Sequence, residues 1–539
     1  MLLSSIPSSF VRDFRYAGSK ITRMPRSEST PTPQAVTSDD SVPTENVSTV
    51  TDKVVLNKSL QAVSLPISAS KSQIEQKPRQ PLCLSAKHIE EKLVIVMVGL
   101  PARGKSYLAK KLNRYLNWSQ YPTKIFNVGE KRRKVATSQQ NSQHSAGFFH
   151  PHNEAASKLR EGLAMAVLDE LLAYLEAGGC IGIFDATNTT IERRDMVVRR
   201  VREANPSLQV LFIESQCFNQ DVLESNTMLK LSGPDYKNSE SSEALADFNC
   251  RVSMYEMKYS PISQLDENKG YSYCQVIDVG IKTITHNINN YLSTQAVTYL
   301  QHFHLYPRQI WLTRHGESED DIAGRLGGDS PLSKRGLDFA QALPAFISQY
   351  QRASSEKTSA SSWMDKLGFL ATTINVWTSI SQKSVQTAQF FKECEGKQLK
   401  ALDELSAGLL EGLTREDVRY QHADWFETRE TNRFLCRYPG TAGEGYCDLS
   451  HRLKNIILEI ERTKNDTLVI SGLGVTRVLI AYFLGLMHSE IPSLRVPQGR
   501  LYMFEPQPYG IQKAEFDFDY ETKKFVRSLS DEGSEGLSI

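Results

Sequence analysis

Hydrophobic positions between residues 90 and 215 alternate between two patterns. Leu93-Val-Ile-Val-Met-Val98 is an unbroken apolar run rich in β-branched residues, which predicts a strand buried on both faces. Apolar residues at Tyr107, Leu108, Leu112, Tyr115 and Leu116 then recur with a helical period. Strands are predicted again at Ile125–Val128, Cys180–Phe184 and Val210–Ile213, and amphipathic helices at 154–177 and 190–204. Such alternation predicts a parallel α/β sheet with ligands at the carboxyl ends of its strands. A second set of apolar strands is predicted at Arg308–Thr313, Ile374–Trp377 and Leu468–Ser471. The longest apolar run is far shorter than the ~20 residues that cross a bilayer.

Composition narrows the class. The chain has 539 residues, 40% hydrophobic and 23% charged, enough for more than one core. The 63 Lys and Arg nearly balance the 62 Asp and Glu, so a nucleic-acid or membrane-surface binder is not expected. The eight Cys include no C-x-x-C pair, which fits a reducing, cytoplasmic setting. Of the first 80 residues, 29 are Ser, Thr or Pro, so 1–85 is expected to be a disordered tail. Its basic start is mildly transit-peptide-like, but a regulatory tail is the simpler reading. Arg23-Met-Pro-Arg26-Ser27 and Arg527-Ser528-Leu-Ser530 are candidate sites for protein kinases. Gln351–Ser362 is low in complexity and is expected to be a surface loop.

The first strand runs into Gly99-Leu100-Pro101-Ala102-Arg103-Gly104-Lys105-Ser106-Tyr107, which matches G-x-x-x-x-G-K-[ST]. Strand, loop and helix together make this a phosphate-binding loop. Its backbone N–H groups would cradle phosphates, Lys105 would reach the β/γ-phosphates, and the Ser106 hydroxyl suits Mg²⁺. Asp185, ending an apolar strand, is a Mg²⁺ partner or a proton acceptor. The basic run Lys131-Arg132-Arg133-Lys134 is either a solvated face or the holder of a second substrate's phosphate.

These motifs, with Phe184-Asp-Ala-Thr-Asn-Thr-Thr190, Phe212-Ile-Glu-Ser-Gln-Cys217 and Lys230-Leu-Ser-Gly-Pro-Asp-Tyr236, resemble the kinase half of the 6-phosphofructo-2-kinase/fructose-2,6-bisphosphatase family. The resemblance implies ATP- and Mg²⁺-dependent phosphorylation of fructose 6-phosphate on its 2-hydroxyl. It implies catalytic roles for Lys105, Asp185 and Cys217. It also implies a sugar-phosphate pocket of Arg132, Arg133, Thr187, Arg193, Lys230, Arg251 and Tyr255. For Cys217 a buried small hydrophobe is as good a reading. Where the family has an Arg after Phe148-Phe149, this chain has His150, which predicts weaker, pH-dependent binding of fructose 6-phosphate.

The second half carries Arg314-His315-Gly316-Glu317 after a strand, then Gly324-Arg325-Leu-Gly327-Gly328. This resembles the histidine phosphatase superfamily and the bisphosphatase half of the same enzymes. The resemblance makes His315 the nucleophile and Glu404 the acid that protonates the leaving oxygen. Arg314, Gly327, Arg429, Arg433 and Tyr446 become substrate contacts. Four positions depart from the pattern. Gly472 stands where a second histidine is expected, Lys383 replaces an Arg, Asp321 an Asn and Arg415 a Tyr. Loss of one preorganised stabiliser typically lowers turnover by about 10²–10³, so the expectation is a kinase with a largely inactive phosphatase half. A working bifunctional enzyme and a ligand-binding regulatory pseudo-enzyme are the alternatives. The expected organisation is therefore the tail 1–85, a P-loop kinase domain 86–305, a phosphoglycerate-mutase-like α/β domain 306–510 and an acidic tail 511–539. The resemblance also implies a homodimer.

Overall fold

The computed structural model describes residues 91–139, 146–150, 153–233, 235–236, 240–304, 308–358, 374–392, 394–507 and 510–528. The expected N-terminal tail and Ser27 lie outside them.

Strands β1 (Leu93–Val98), β2 (Thr123–Asn127), β3 (Ile181–Asp185), β4 (Gln209–Gln216), β5 (Ser272–Ile277) and β6 (Lys282–His286) form the first sheet. Their order is β2-β3-β1-β4-β5-β6, parallel from β1 to β5, with β6 antiparallel at the edge. Helices α1 (Lys105–Trp118), α2 (Val128–Gln139), α3 (Glu154–Glu176), α4 (Ile191–Ala204), α5 (Gln220–Leu231) and α6 (Ser241–Glu256) follow or flank these strands. All six residues of β1 are fully buried because both faces of the sheet are covered. Leu93, Ile95 and Met97 pack with Leu108 and Leu112 of α1. Val94, Val96 and Val98 pack on the other side with Leu168, Leu171 and Val197 of α3 and α4. That two-sided packing is why the run contains no polar residue.

The second sheet has strands β7 (Ile310–Arg314), β8 (Ile374–Thr378), β9 (Cys394–Gln398), β10 (Thr467–Ser471), β11 (Arg500–Gln507), β12 (Gly510–Asp519) and β13 (Lys524–Arg527). Their order is β13-β12-β11-β7-β10-β8-β9. The members β7, β10, β8 and β9 are parallel, and β11, β12 and β13 run antiparallel at one side. The two sheets thus carry a P-loop-type and a phosphoglycerate-mutase-like α/β architecture.

Two sequence expectations are corrected. The stretch from 511 is not a tail as far as Ser528: β12 and β13 complete the second sheet, with Phe516 and Phe518 in its core. Alternation at Ala514, Phe516 and Phe518 carries that packing, and the intervening acids obscured it. Ser528 is itself buried and its N–H donates to the Glu515 carbonyl, which removes it as an accessible kinase site; Ser530 lies outside the described residues. The second correction is at the expected loop from 351. The helix Lys334–Thr358 continues through its first eight residues, because Ala, Glu, Lys and Gln there keep good helix propensity.

The segment joining the halves is ordered by both. β6 pairs with β5, and the helix Tyr291–His302 buries Ala296, Tyr299 and Leu300 in one cluster with α1 and the second-half helices.

Candidate active sites

Gly104 caps α1 with φ 86°, a left-handed value that favours glycine, and so turns the loop into the helix. Gly99 has φ 134°, and a Cβ there would lie 2.5 Å from the Ser215 carbonyl oxygen at the end of β4. The loop is therefore clamped between β1 and β4, with the Ser215 hydroxyl donating to the Arg103 carbonyl. Lys105 heads α1, and its ammonium donates to the Leu100 carbonyl at 2.5 Å, curling back over the loop. Burial pulls its pKa down to about 7, with Asp185 opposing that fall and Lys230, Arg103 and Arg251 adding to it.

A cavity of about 1140 Å³ opens over this loop. Its lining brings together Pro101–Tyr107, Arg132, Arg133, Asp185, Thr187, Arg193, Lys230, Arg251 and Tyr255, residues more than 150 positions apart in the chain. Gly99 and Leu100 are not among the lining residues. Asp185 is buried at the end of β3 and accepts a hydrogen bond from the Asn127 amide of β2 at 2.5 Å. Ser106 and Asp185 offer a hydroxyl and a carboxylate to one cavity, a donor set that suits a hard cation such as Mg²⁺.

Two of the four residues of the basic run face the cavity, while Lys131 and Lys134 pair with Glu170 and Glu130 on exposed surface. Arg132 and Arg133, on α2, bracket Asp235 at 2.8 and 3.5 Å, and Arg251 of α6 joins at 3.3 Å. The Arg251 guanidinium also stacks 4.0 Å from the centre of the Phe149 ring. One carboxylate thus holds three arginines in place, leaving an excess of cationic donors for a phosphate.

Sequence reasoning missed Asn127, Asp235, Phe149 and Arg160. Asp235 sits in a quoted motif, but its role appears only when α2 and α6 meet. Arg160, on α3, lines the cavity, donates to the Phe148 carbonyl and lies over both Phe148 and Phe149. His150 is not among the lining residues. The structure also does not bring Cys217 to the cavity. Its thiol is buried against the Asn219 carbonyl, and burial, helped by Asp278, pushes it up to about 11. A neutral, enclosed thiol is a packing group, the reading that chemistry alone had left open.

In the second half, β7 delivers Arg314 and His315 to the carboxyl end of the sheet, beside the end of β10. His315 is buried, and its Nδ1 lies 2.9 Å from the Gly316 carbonyl oxygen, a contact that favours the proton on Nδ1 and leaves Nε2 unprotonated. Burial, and then Lys383, lowers its pKa to about 4, so the ring is neutral at pH 7. Lys383 is buried and reaches the Gly327 carbonyl at 3.3 Å. Asp321 caps the turn after Ser318 and stands 3.5 Å from Arg314 and 3.8 Å from His315. Burial raises its carboxyl pKa, but His315, the Ser318 hydrogen bonds and Arg314 together hold it below the usual range.

Glu404 faces position 472. Both of its carboxylate oxygens accept from the Gly474 N–H at 3.0 Å, at the start of the helix Leu473–Leu484. Tyr446 and Arg429 lie on the same side. The Tyr446 hydroxyl accepts from Arg477 at 2.8 Å, and Arg429 packs over the Tyr438 ring. Gly327 has φ 69° and lies against the Glu411 carboxylate. Arg433 pairs locally with Glu430 instead. Arg415 stacks over Phe426. Arg477 and Tyr438 were not anticipated, since nothing local marks an arginine in an apolar helix as a site residue.

Comparison with known proteins follows this division. The profile for 6-phosphofructo-2-kinase matches residues 82–307, and that for the histidine phosphatase superfamily (branch 1) matches residues 310–517. The chain is 43% identical over 457 residues to 6-phosphofructo-2-kinase 1 of Saccharomyces cerevisiae, covering 82% of this chain and 54% of that one. A probable 6-phosphofructo-2-kinase of Schizosaccharomyces pombe is 42% identical, over 81% of this chain and 71% of its own. The human 6-phosphofructo-2-kinase/fructose-2,6-bisphosphatase 3 is 39% identical, over 86% of this chain and 84% of its own. The chain thus spans about half the length of the budding-yeast relative.

Proposed function

The chain belongs to the 6-phosphofructo-2-kinase/fructose-2,6-bisphosphatase family, and from that premise we propose that it is an ATP-dependent kinase making fructose 2,6-bisphosphate, with a bisphosphatase half of little or no activity. The observation that carries the kinase reading is the single cavity that joins the phosphate-binding loop to the Asp235-centred arginine cluster. The loop N–H groups and Lys105 hold the ATP phosphates. Arg132, Arg133, Arg193 and Arg251 hold the 6-phosphate of the sugar, with Thr187, Lys230 and Tyr255 around the ring. Its 2-hydroxyl oxygen forms a bond to the γ-phosphorus as the bond to the β-phosphate oxygen breaks. Ser106 and Asp185 would hold Mg²⁺, which supplies charge neutralisation on the phosphates. Lys105 and Lys230 neutralise charge developing on the transferred group. Asp185, oriented by Asn127, is also placed to take the hydroxyl proton.

The phosphatase reading rests on Gly472. Among the described residues no imidazole stands opposite His315, and Glu404 is engaged by the Gly474 N–H. Asp321 places negative charge beside Arg314, where a phosphate would sit. No described helix is long and apolar enough to cross a membrane; we place the enzyme in the cytoplasm, as a homodimer and a substrate of protein kinases.

Purified full-length protein incubated with ATP, Mg²⁺ and fructose 6-phosphate tests both halves. Acid-labile fructose 2,6-bisphosphate should accumulate and persist after ATP is removed. Decay after removal would show a working phosphatase without its second histidine. No accumulation, with added fructose 2,6-bisphosphate also left intact, would favour a regulatory binding protein.

A further inference from the structure

A buried ionic cluster joins the halves directly behind the phosphate-binding loop. Its centre is Glu461, 1% exposed, in the helix Lys454–Arg462 of the second half. Oε1 accepts from Arg114 of α1 at 2.9 Å and from the Tyr482 hydroxyl at 2.6 Å, and Tyr299 of the joining helix stands at 3.5 Å. Oε2 accepts from Arg308, just before β7, at 3.2 Å. Lys111 of α1 is buried beside them. Burial and the neighbouring arginines lower its amine to about 7, while Glu461 opposes that fall. The Arg114 guanidinium also lies 4.6 Å from the centre of the Tyr482 ring, and Tyr115 stacks on Tyr299 at 4.5 Å.

Helix α1 therefore has two functional ends. Its first residues, Lys105 and Ser106, face the cavity. Its third turn is held by a carboxylate from the other half of the protein, about 350 positions away in sequence. A buried charge with several partners has a steep positional dependence, because a small displacement leaves it unpaired in a low dielectric. An apolar interface alone would let the helix slide more easily.

We propose that Glu461 and Arg114 are positioning residues for the kinase reaction: the phosphatase-type half braces α1 so that Lys105 and Ser106 meet the ATP phosphates. This rests on the kinase reading above, and it supplies a use for the second half that needs no phosphatase turnover.

The test uses the full-length chain with Glu461→Gln and the milder Tyr482→Phe, which removes the 2.6 Å hydrogen bond to Glu461 and the 3.4 Å one accepted from Arg114. Misplacing α1 should raise the KM and directly titrated Kd for ATP about tenfold in Glu461→Gln, given how steeply such sites depend on position. A rise of about threefold is expected in Tyr482→Phe. The KM for fructose 6-phosphate should stay within about twofold, because the arginines that hold it stand on α2, α4 and α6. A purely structural role would instead lower kcat through loss of folded protein and leave both KM values alone. That result, or unchanged ATP affinity in either folded variant, overturns the proposal. Should Glu461→Gln not fold, Tyr482→Phe decides by the same criterion. Absence of kinase activity in the parent protein would refute the kinase reading itself, while the ATP titration would still report on the brace.

Discussion

A Cβ on Gly472 would lie 2.1 Å from Oε2 of Glu404. The carboxylate therefore occupies the space that a side chain at 472 would need, and the Gly474 N–H holds it there. Glu404 and position 472 are thus linked: the carboxylate sits on a helix N-terminus that offers an N–H donor and a favourable dipole.

Restoring the histidine should consequently act on two residues at once. Gly472→His must drive Glu404 off the Gly474 N–H, freeing it to reach the leaving oxygen. Combined with Lys383→Arg, it should raise hydrolysis of fructose 2,6-bisphosphate by about 10²-fold, the usual weight of one preorganised stabiliser. Phosphate release from added fructose 2,6-bisphosphate measures it, and a double variant no faster than the parent would count against this geometry.

ATP binding should take up a proton. The Lys105 pKa lies at about 7 in the free protein, below its ordinary value, so above pH 7 the amine is increasingly neutral. Phosphates favour its charged form and raise the pKa. At pH 8 calorimetric titration with MgATP in two buffers of different ionisation enthalpy should reveal uptake approaching one proton. The uptake should fade toward pH 6, where the amine is already charged, and vanish in Lys105→Met. Equal heats in both buffers at pH 8 would refute it.

Arg160 and His150 offer a direct contrast. Arg160 lines the cavity and His150 does not. Arg160→Ala should raise the KM for fructose 6-phosphate at least about tenfold, the scale of one lost charge-assisted hydrogen bond. His150→Arg should change it less than about threefold. Steady-state kinetics at pH 6 and 8 checks both, and a larger effect at 150 would reinstate the expectation drawn from sequence.

Asp235→Asn should weaken sugar binding even though it removes a negative charge. Arg132, Arg133 and Arg251 would lose the carboxylate that orders them, and the KM for fructose 6-phosphate should rise about fivefold with that for ATP nearly unchanged. Tighter fructose 6-phosphate binding would mean that Asp235 competes with the phosphate instead.

Truncation after residue 510 should unfold the second half. It would strip β12 and β13 from the sheet and leave the long edge of β11 unpaired. Within the full chain, Phe516→Ala should lose about 3–5 kcal/mol. Thermal unfolding measures both, and a soluble truncated protein with the parent's Tm would contradict the extended sheet.

Local sequence determined the elements whose signals are self-contained. β1 announced itself because burial on both faces excludes polar residues, and the phosphate-binding loop because its turn needs glycine at fixed places. The placement of Lys105, Asp185 and His315 near the carboxyl ends of their strands was legible too, because the strand signals that precede them are local. The tertiary structure decided what depends on distant partners. Asp235 gains its role only from arginines on two helices, and Glu404 settles on the Gly474 N–H only because position 472 has no side chain. Cys217 fell away from the site since its thiol is buried against the Asn219 carbonyl. β12 and β13 hid because alternation among acids resembles a soluble tail until β11 supplies the pairing edge. Hydrogen bonding and charge pairing act over a few ångströms, and the chain's own order says little about which of its groups come that close.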